Sequence, residues 1–129
     1  MRQDYKKALF AVLVLMTALF AYAGGGRVQA AVPAGGSIAI EASNFSFSPK
    51  EVRVEKPGPL TIQIKNVSGS GHNFTLSDPS GRTLKSVDLK PGQTVNADVQ
   101  LSAPGVYKFH CDKAFHSSFG MTGQIIVGR

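Results

Sequence analysis

Past residue 36 the apolar positions alternate with polar ones instead of recurring every three or four residues. Ile38 and Ile40, Val52 and Val54, Ile62 and Ile64, Phe74 and Leu76, and the trio Val95, Ala97 and Val99 all keep a period of two, the mark of strands with one buried face. Turn-forming clusters separate these runs: Pro57-Gly58, Ser68-Gly69-Ser70-Gly71, Asp78-Pro79-Ser80-Gly81, Pro91-Gly92 and Pro104-Gly105. Turns spaced by roughly ten residues predict about seven to eight short strands. The fold class expected for residues 37–129 is therefore all-β, an antiparallel β-sandwich whose two inner faces share one core. No stretch after residue 36 has a helical period, and no internal repeat is visible.

The region upstream has a different pattern. Arg2, Lys6 and Lys7 precede an apolar run from Ala8 to Ala23 in which Thr17 is the only clearly polar residue, the order of a secretory signal. Residues 1–30 read as a signal peptide or an N-terminal membrane anchor. Ala21-Tyr22-Ala23 and Val28-Gln29-Ala30 both have the small-residue exits of a cleavage site. As a helix the run would reach about 24 Å, short of a hydrocarbon core of roughly 30 Å, which favours cleavage over retention. Residues 31–36, Ala-Val-Pro-Ala-Gly-Gly, have no periodicity and read as a flexible linker. The expected location is outside the cytoplasm, in a periplasm or at the outer face of the cytoplasmic membrane.

Composition narrows the choices further. A chain of 129 residues holds one domain of ordinary size besides that N-terminal segment. The 14 basic against 8 acidic residues leave a net +6, but no basic run is interleaved with aromatics, so nucleic acid is not an expected partner. A single Cys precludes an intramolecular disulfide. Stability must come from the packed core, with a metal as the available supplement.

Chemistry concentrates in a few scarce residues. Cys111, His116 and Met121 stand five positions apart, and His72 lies in Gly71-His72-Asn73-Phe74. A thiol, two imidazoles and a thioether are soft to borderline ligands, suited to copper rather than calcium or magnesium. Two His and one Cys with a weak axial Met make a mononuclear electron-transfer copper site. In Tyr107-Lys108-Phe109-His110-Cys111, strand parity puts Tyr107, Phe109 and Cys111 inward and His110 on the other face, away from the metal. His72 shares its face with Phe74 and Leu76. Taken singly, Cys111 would be inert core, His72 a satisfied imidazole and Met121 a filler. Zinc on Cys, His and His is a chemical alternative. A thiol nucleophile paired with a His base would leave the second His and the Met unexplained. Further copper centres would need more than the three His present, so enzymatic activity is not expected.

At these residues the sequence resembles the cupredoxins, the blue copper proteins that include plastocyanin, azurin and auracyanin. Gly71-His72-Asn73 is similar to the family's first ligand motif. Tyr107 to Cys111 is similar to its Cys-bearing strand, and Met121-Thr122-Gly123 with the following Gln124-Ile125-Ile126-Val127 to its last strand. The resemblance implies a Greek-key sandwich over residues 37–129. It also implies one copper ion, Cu(I)/Cu(II), on His72, Cys111, His116 and Met121, and a monomeric carrier of single electrons that docks transiently with redox protein partners. An exported protein that handles or delivers copper is the alternative function. The resemblance further implies a hydrogen bond from Asn73 to the Cys loop. His116 lies in the loop between the Cys strand and the last strand, so an apolar collar of Phe115, Phe119, Gly120 and Ala114 is expected around its solvent-facing edge, with ordinary core as the alternative for the two Phe, and Lys113 beside it is expected to steer an acidic partner. Two departures stand out. Lys113-Ala114-Phe115 replaces the usual Pro or Gly between Cys and His. Asp112 stands where relatives often have Ser or Thr, placing a charge that favours the oxidised metal beside the thiolate.

Overall fold

A computed structural model describes residues 30–113 and 120–129. Among them are nine strands: β1 (Ser37–Ser43), β2 (Ser46–Ser48), β3 (Glu51–Val54), β4 (Gly58–Asn66), β5 (His72–Ser77), β6 (Thr83–Leu89), β7 (Thr94–Leu101), β8 (Gly105–His110) and β9 (Thr122–Val127). They form two sheets, one ordered β2-β1-β4-β7 and the other β3-β9-β8-β5-β6. The all-β sandwich is the fold class that the alternation implies. The period-two residues line its interior: Ile38, Ile40, Val52, Val54, Ile62, Ile64, Phe74, Leu76, Ala97 and Val99 are all buried, while Val95 is half-buried. Each fully buried aliphatic or aromatic side chain contributes roughly 1.5–3 kcal/mol over its exposed state.

Strand direction departs from an all-antiparallel arrangement. β1 runs parallel to β4, with Ile38 beside Ile62 and Ile40 beside Ile64, and β3 runs parallel to β9, with Val52 beside Ile125. The remaining pairs are antiparallel. The chain leaves the first sheet after β2, forms β3 on the second and returns as β4. A half-buried strand alternates in the same way whichever direction its neighbour runs, so the pattern carries no sign of this crossing.

Phe47 of one sheet packs edge-on against Phe74 and Phe109 of the other, with centroids 5.8 and 5.3 Å away, and those two rings are 5.1 Å apart. Such pairs add about 0.5–1.5 kcal/mol each beyond burial. Gly123 is required beside this cluster. A Cβ there would lie 2.3 Å from the Phe109 ring and 2.7 Å from the Lys50 carbonyl oxygen.

The linker expected over residues 31–36 is docked from Val32 onward. Val32 N–H donates to Arg53 O (2.8 Å), Glu55 N–H to Val32 O (2.9 Å), and Gly35 N–H to Pro59 O (2.9 Å). Val32 bridges Val54 in parallel. Backbone pairing of this kind needs no side-chain pattern, so composition alone reads the segment as loose. The signal or anchor expected over residues 1–30 lies, apart from Ala30, outside the described residues.

The sandwich has two poles. At one, β4 and β8 end and β5 and β9 begin, bringing Asn66, His72, Cys111 and Met121 to the same end. At the other lie the start of β8, the Asp78 turn and the docked segment at Val54 and Pro59. The docked stretch from Val32 to Gly36 thus lies at the pole opposite Cys111.

Candidate metal centre

Three of the four expected ligands are brought together. His72 opens β5 and is 1% exposed, while Cys111 just after β8 and Met121 just before β9 are fully buried. Cys111 N–H donates to Met121 O across 3.2 Å, and Asn73 N–H donates to Cys111 Sγ at 3.5 Å. One backbone bond therefore joins Cys111 to Met121, and the other joins its sulfur to the residue after His72. Gly120 makes the approach possible: its φ of +92° is in the region that favours glycine, and its carbonyl accepts from Thr122 N–H at 2.8 Å. His116, together with Ala114, Phe115 and Phe119 of the expected collar, lies outside the described residues.

The bond expected from Asn73 is present, and it is reciprocal. Asn73 Nδ2 donates to Asp112 Oδ2 at 2.9 Å, and Asp112 N–H donates to Asn73 Oδ1. Asp112 is the centre of a wider network that sequence reasoning missed. Thr75 Oγ1 donates to the same Oδ2 at 2.6 Å and is itself 2.9 Å from Ser86 Oγ, while His110 Nε2 pairs with Oδ1. Hydrogen bonds from Thr75 and then Asn73, helped by His110 and opposed by burial, hold the Asp112 carboxyl below the usual aspartate range. His110 is 35% exposed and sits on the outer face as strand parity requires. Its tie to Asp112 is the unexpected part, and the clue lies in positions 110 and 112 sharing one side of the strand direction.

A second network surrounds His72. Its Nε2 lies 2.7 Å from Ser68 Oγ. Asn66, fully buried at the end of β4, donates from Nδ2 to Ser70 O (2.7 Å) and Leu89 O (3.1 Å), and accepts at Oδ1 from Ser68 N–H (3.0 Å). Among the described residues no buried side-chain nitrogen or oxygen lacks a partner. In sequence, Asn66 and the Ser-Gly-Ser-Gly run read only as a strand end and a turn.

Other apolar residues lie at the surface of this pole. Phe45 and Val67 are 48% and 47% exposed, and Val67 N–H donates to Ala42 O near the turn that carries Phe45. Phe45 has a φ of +61°, a conformation that bulky side chains seldom adopt. Lys113, read as a steering charge, is 3.3 Å from Asp88 in an exposed pair, which reduces its outward field.

The fold and this pole together define a β-sandwich with a sulfur and nitrogen donor set at one end. The family model for the cupredoxin-like domain matches residues 9–127, and the chain belongs to that family. Three solved structures share the fold. Reduced auracyanin from the photosynthetic bacterium Roseiflexus castenholzii is 22% identical, with a TM-score of 0.68 over 74% of this chain and 99% of its own. Auracyanin B is 18% identical, with a TM-score of 0.66 over 82% and 97%. Auracyanin A, described as a blue copper protein of the green thermophilic photosynthetic bacterium Chloroflexus aurantiacus, is 20% identical, with a TM-score of 0.64 over 74% and 99%. No curated protein sequence matches the chain.

Proposed function

We propose that the protein carries single electrons between redox proteins outside the cytoplasm, using one copper ion held by His72, Cys111, His116 and Met121. The observation that carries this reading is the convergence of His72, Cys111 and Met121, all buried, at one pole, with Asn73 N–H directed at the Cys111 sulfur. The donor set fits the ion: the thiolate and imidazoles would hold copper strongly, and the Met121 thioether would add a weaker soft donor. Bound there, copper would supply a one-electron couple between Cu(I) and Cu(II).

The chain's own residues do the rest. The Asn73 N–H withdraws charge from the thiolate, and the Asn73–Asp112 pair fixes the segment that follows it. Burial excludes water, so the polar groups around the ligands need little rearrangement when charge changes. Phe45 and Val67 offer apolar surface at the same pole, suited to a small, short-lived interface with a partner protein. No substrate is transformed. Auracyanin A supports the reading as a structural neighbour named a blue copper protein.

The test is the visible spectrum of the oxidised, copper-loaded protein. An intense thiolate-to-Cu(II) charge-transfer band is expected, together with reversible one-electron reduction. Copper bound without that band, and readily passed to an apo-acceptor, would instead indicate copper delivery.

A further inference from the structure

The outer faces of the two sheets differ in charge. On β1, β4 and β7 the outward charged residues are Glu41, Lys65 and Asp98, and Lys65 stands beside Glu41 in the parallel ladder. On β3, β9 and β8 the outward positions fall in rows: Arg53, Ile126 and Val106 in one, Glu51, Gln124 and Lys108 in the next, then Thr122 and His110. Glu51 accepts from Arg53 Nη2 and Gln124 Nε2, each at 2.9 Å, and His110 Nε2 is paired with Asp112. Lys108, on the central strand of this face, and Lys50, just before β3, have no acidic partner among the described residues. A cavity of about 600 Å³ opens between them, lined also by Glu51, His110, Thr122 and Gln124. In the adjoining row Val106 is 38% exposed beside half-buried Ile126.

We propose that this face docks an acidic, extended segment of a partner protein, on a surface separate from the Cys111 pole. Charge selects the occupant: Lys50 and Lys108 lack carboxylates of their own, and a partner's carboxylates complete them. Spacing selects its form. Val106 and Lys108 are two residues apart on one strand, about 6.6 Å, which is also the spacing of same-side residues in an extended chain. A segment with a carboxylate two positions from an aliphatic residue therefore meets both. An anionic membrane fits less well, because lipid surfaces recruit clusters of about four to eight cations, and Glu51 interrupts this one. In a symmetric pair with a second copy the face would meet its own cations. Docking here leaves Phe45 and Val67 at the pole uncovered, so a bound partner and exchange at the pole are compatible. The proposal does not depend on which metal the pole holds.

The probe is a short synthetic peptide of alternating Glu and Val, titrated into the isotopically labelled protein at low ionic strength. Amide shifts should change along β8, β9 and the start of β3, and not at Phe45 or Val67. Added salt should weaken binding. Lys108→Glu should lower the affinity by about tenfold, while Lys65→Glu, on the outer face of the other sheet, should leave it unchanged. A peptide with Gly in place of Val should bind severalfold more weakly, since Val106 and Ile126 lose their apolar partner. The proposal is overturned if the shifts centre on the pole, if Lys108→Glu binds as tightly as the unmodified protein, or if the Gly peptide binds equally well. Binding of anionic-lipid vesicles through Lys50 and Lys108, with no binding of the peptide, would overturn it in favour of a membrane. Should Lys108→Glu fail to fold, Lys50→Glu, at an exposed position outside the strands, decides the matter.

Discussion

Asp112 at the Cys111 pole and Asp78 at the opposite pole are both held below the usual aspartate range by hydrogen bonds, yet the two sites are built differently. Asp78 is satisfied by its own turn: Oδ1 accepts from Ser80 N–H, Ser80 Oγ and Arg82 N–H, and Oδ2 faces Arg82 Nε at 3.2 Å. Asp112 is satisfied from a distance in sequence, by Asn73 and Thr75 of β5, with His110 completing the set. Tyr107 at the Asp78 pole likewise folds its hydroxyl onto nearby Ala103, accepting from its N–H at 3.1 Å and donating to its carbonyl at 2.8 Å. Cys111 instead receives Asn73 N–H from another strand, although His72 meets Ser68 only four residues back. The Asp78 turn and the Tyr107 hydroxyl are closed by local bonds. The Cys111 segment is held by contacts that exist only once β5 and β8 lie side by side.

That contrast can be broken most directly at Cys111. Cys111→Ser should abolish the intense visible band of the copper-loaded protein, because only a thiolate supplies that transition. Circular dichroism should still report the sandwich, and a coloured variant would remove Cys111 from the site.

Tyr107→Phe is the counterpart at the other pole. It strips partners from both the N–H and the carbonyl of Ala103, so unfolding in denaturant should show a loss of about 1–3 kcal/mol. The visible spectrum should not move. A spectral change would mean that the poles are coupled through the sheets.

A smaller effect is expected from Asp112→Asn, which removes the negative charge beside Cys111 while nearly preserving shape. The oxidised state loses a favourable interaction, so the reduction potential should rise by on the order of a few tens of millivolts, solvent screening at this half-exposed side chain limiting the change. Voltammetry of the two proteins would show it, and a fall in potential would reverse the role given to the charge. Phe45→Asp sharpens the same pole from outside. Electron exchange with a partner should slow by severalfold while the potential stays fixed, and stopped-flow kinetics would reveal an unchanged rate if electrons enter elsewhere.

The smallest effect concerns Asp78. Its folded-state pKa is below the ordinary 3.8, so its stabilising share is complete above that value and is lost as pH falls through the lowered one. Asp78→Asn should therefore flatten the acid end of the stability curve slightly, below about pH 4. Thermal melts across that range would check it. An equal slope in both proteins would mean that the carboxyl is screened enough to contribute nothing.

Much of this molecule can be read before it folds, for reasons that are local. Burial in a sandwich obeys a period of two, so Ile38, Ile62, Phe74 and Phe109 declare their facing in the primary structure. Cys111 and Met121 are read as partners because both flank one short loop, and the adjacent strands β8 and β9 do place them together. Asn73 is readable through family resemblance, and its bond to the Cys segment is present.

Other features depend on which strands become neighbours, and alternation is blind to that. The parallel pairs β1·β4 and β3·β9 arise from crossings between sheets, and the docking of Val32 uses backbone groups that every residue has. Ser68 and Thr75 carry ordinary hydroxyls that acquire a role only where β4 ends beside β5 and where β5 lies against β8. The primary structure determined the strands, their inward faces and the scarce candidate ligands, because each is written in spacing along one segment. Only the tertiary structure decided which hydrogen-bond partners hold those side chains, because a hydroxyl or a carboxylate acquires its chemistry from what the fold sets three ångströms away.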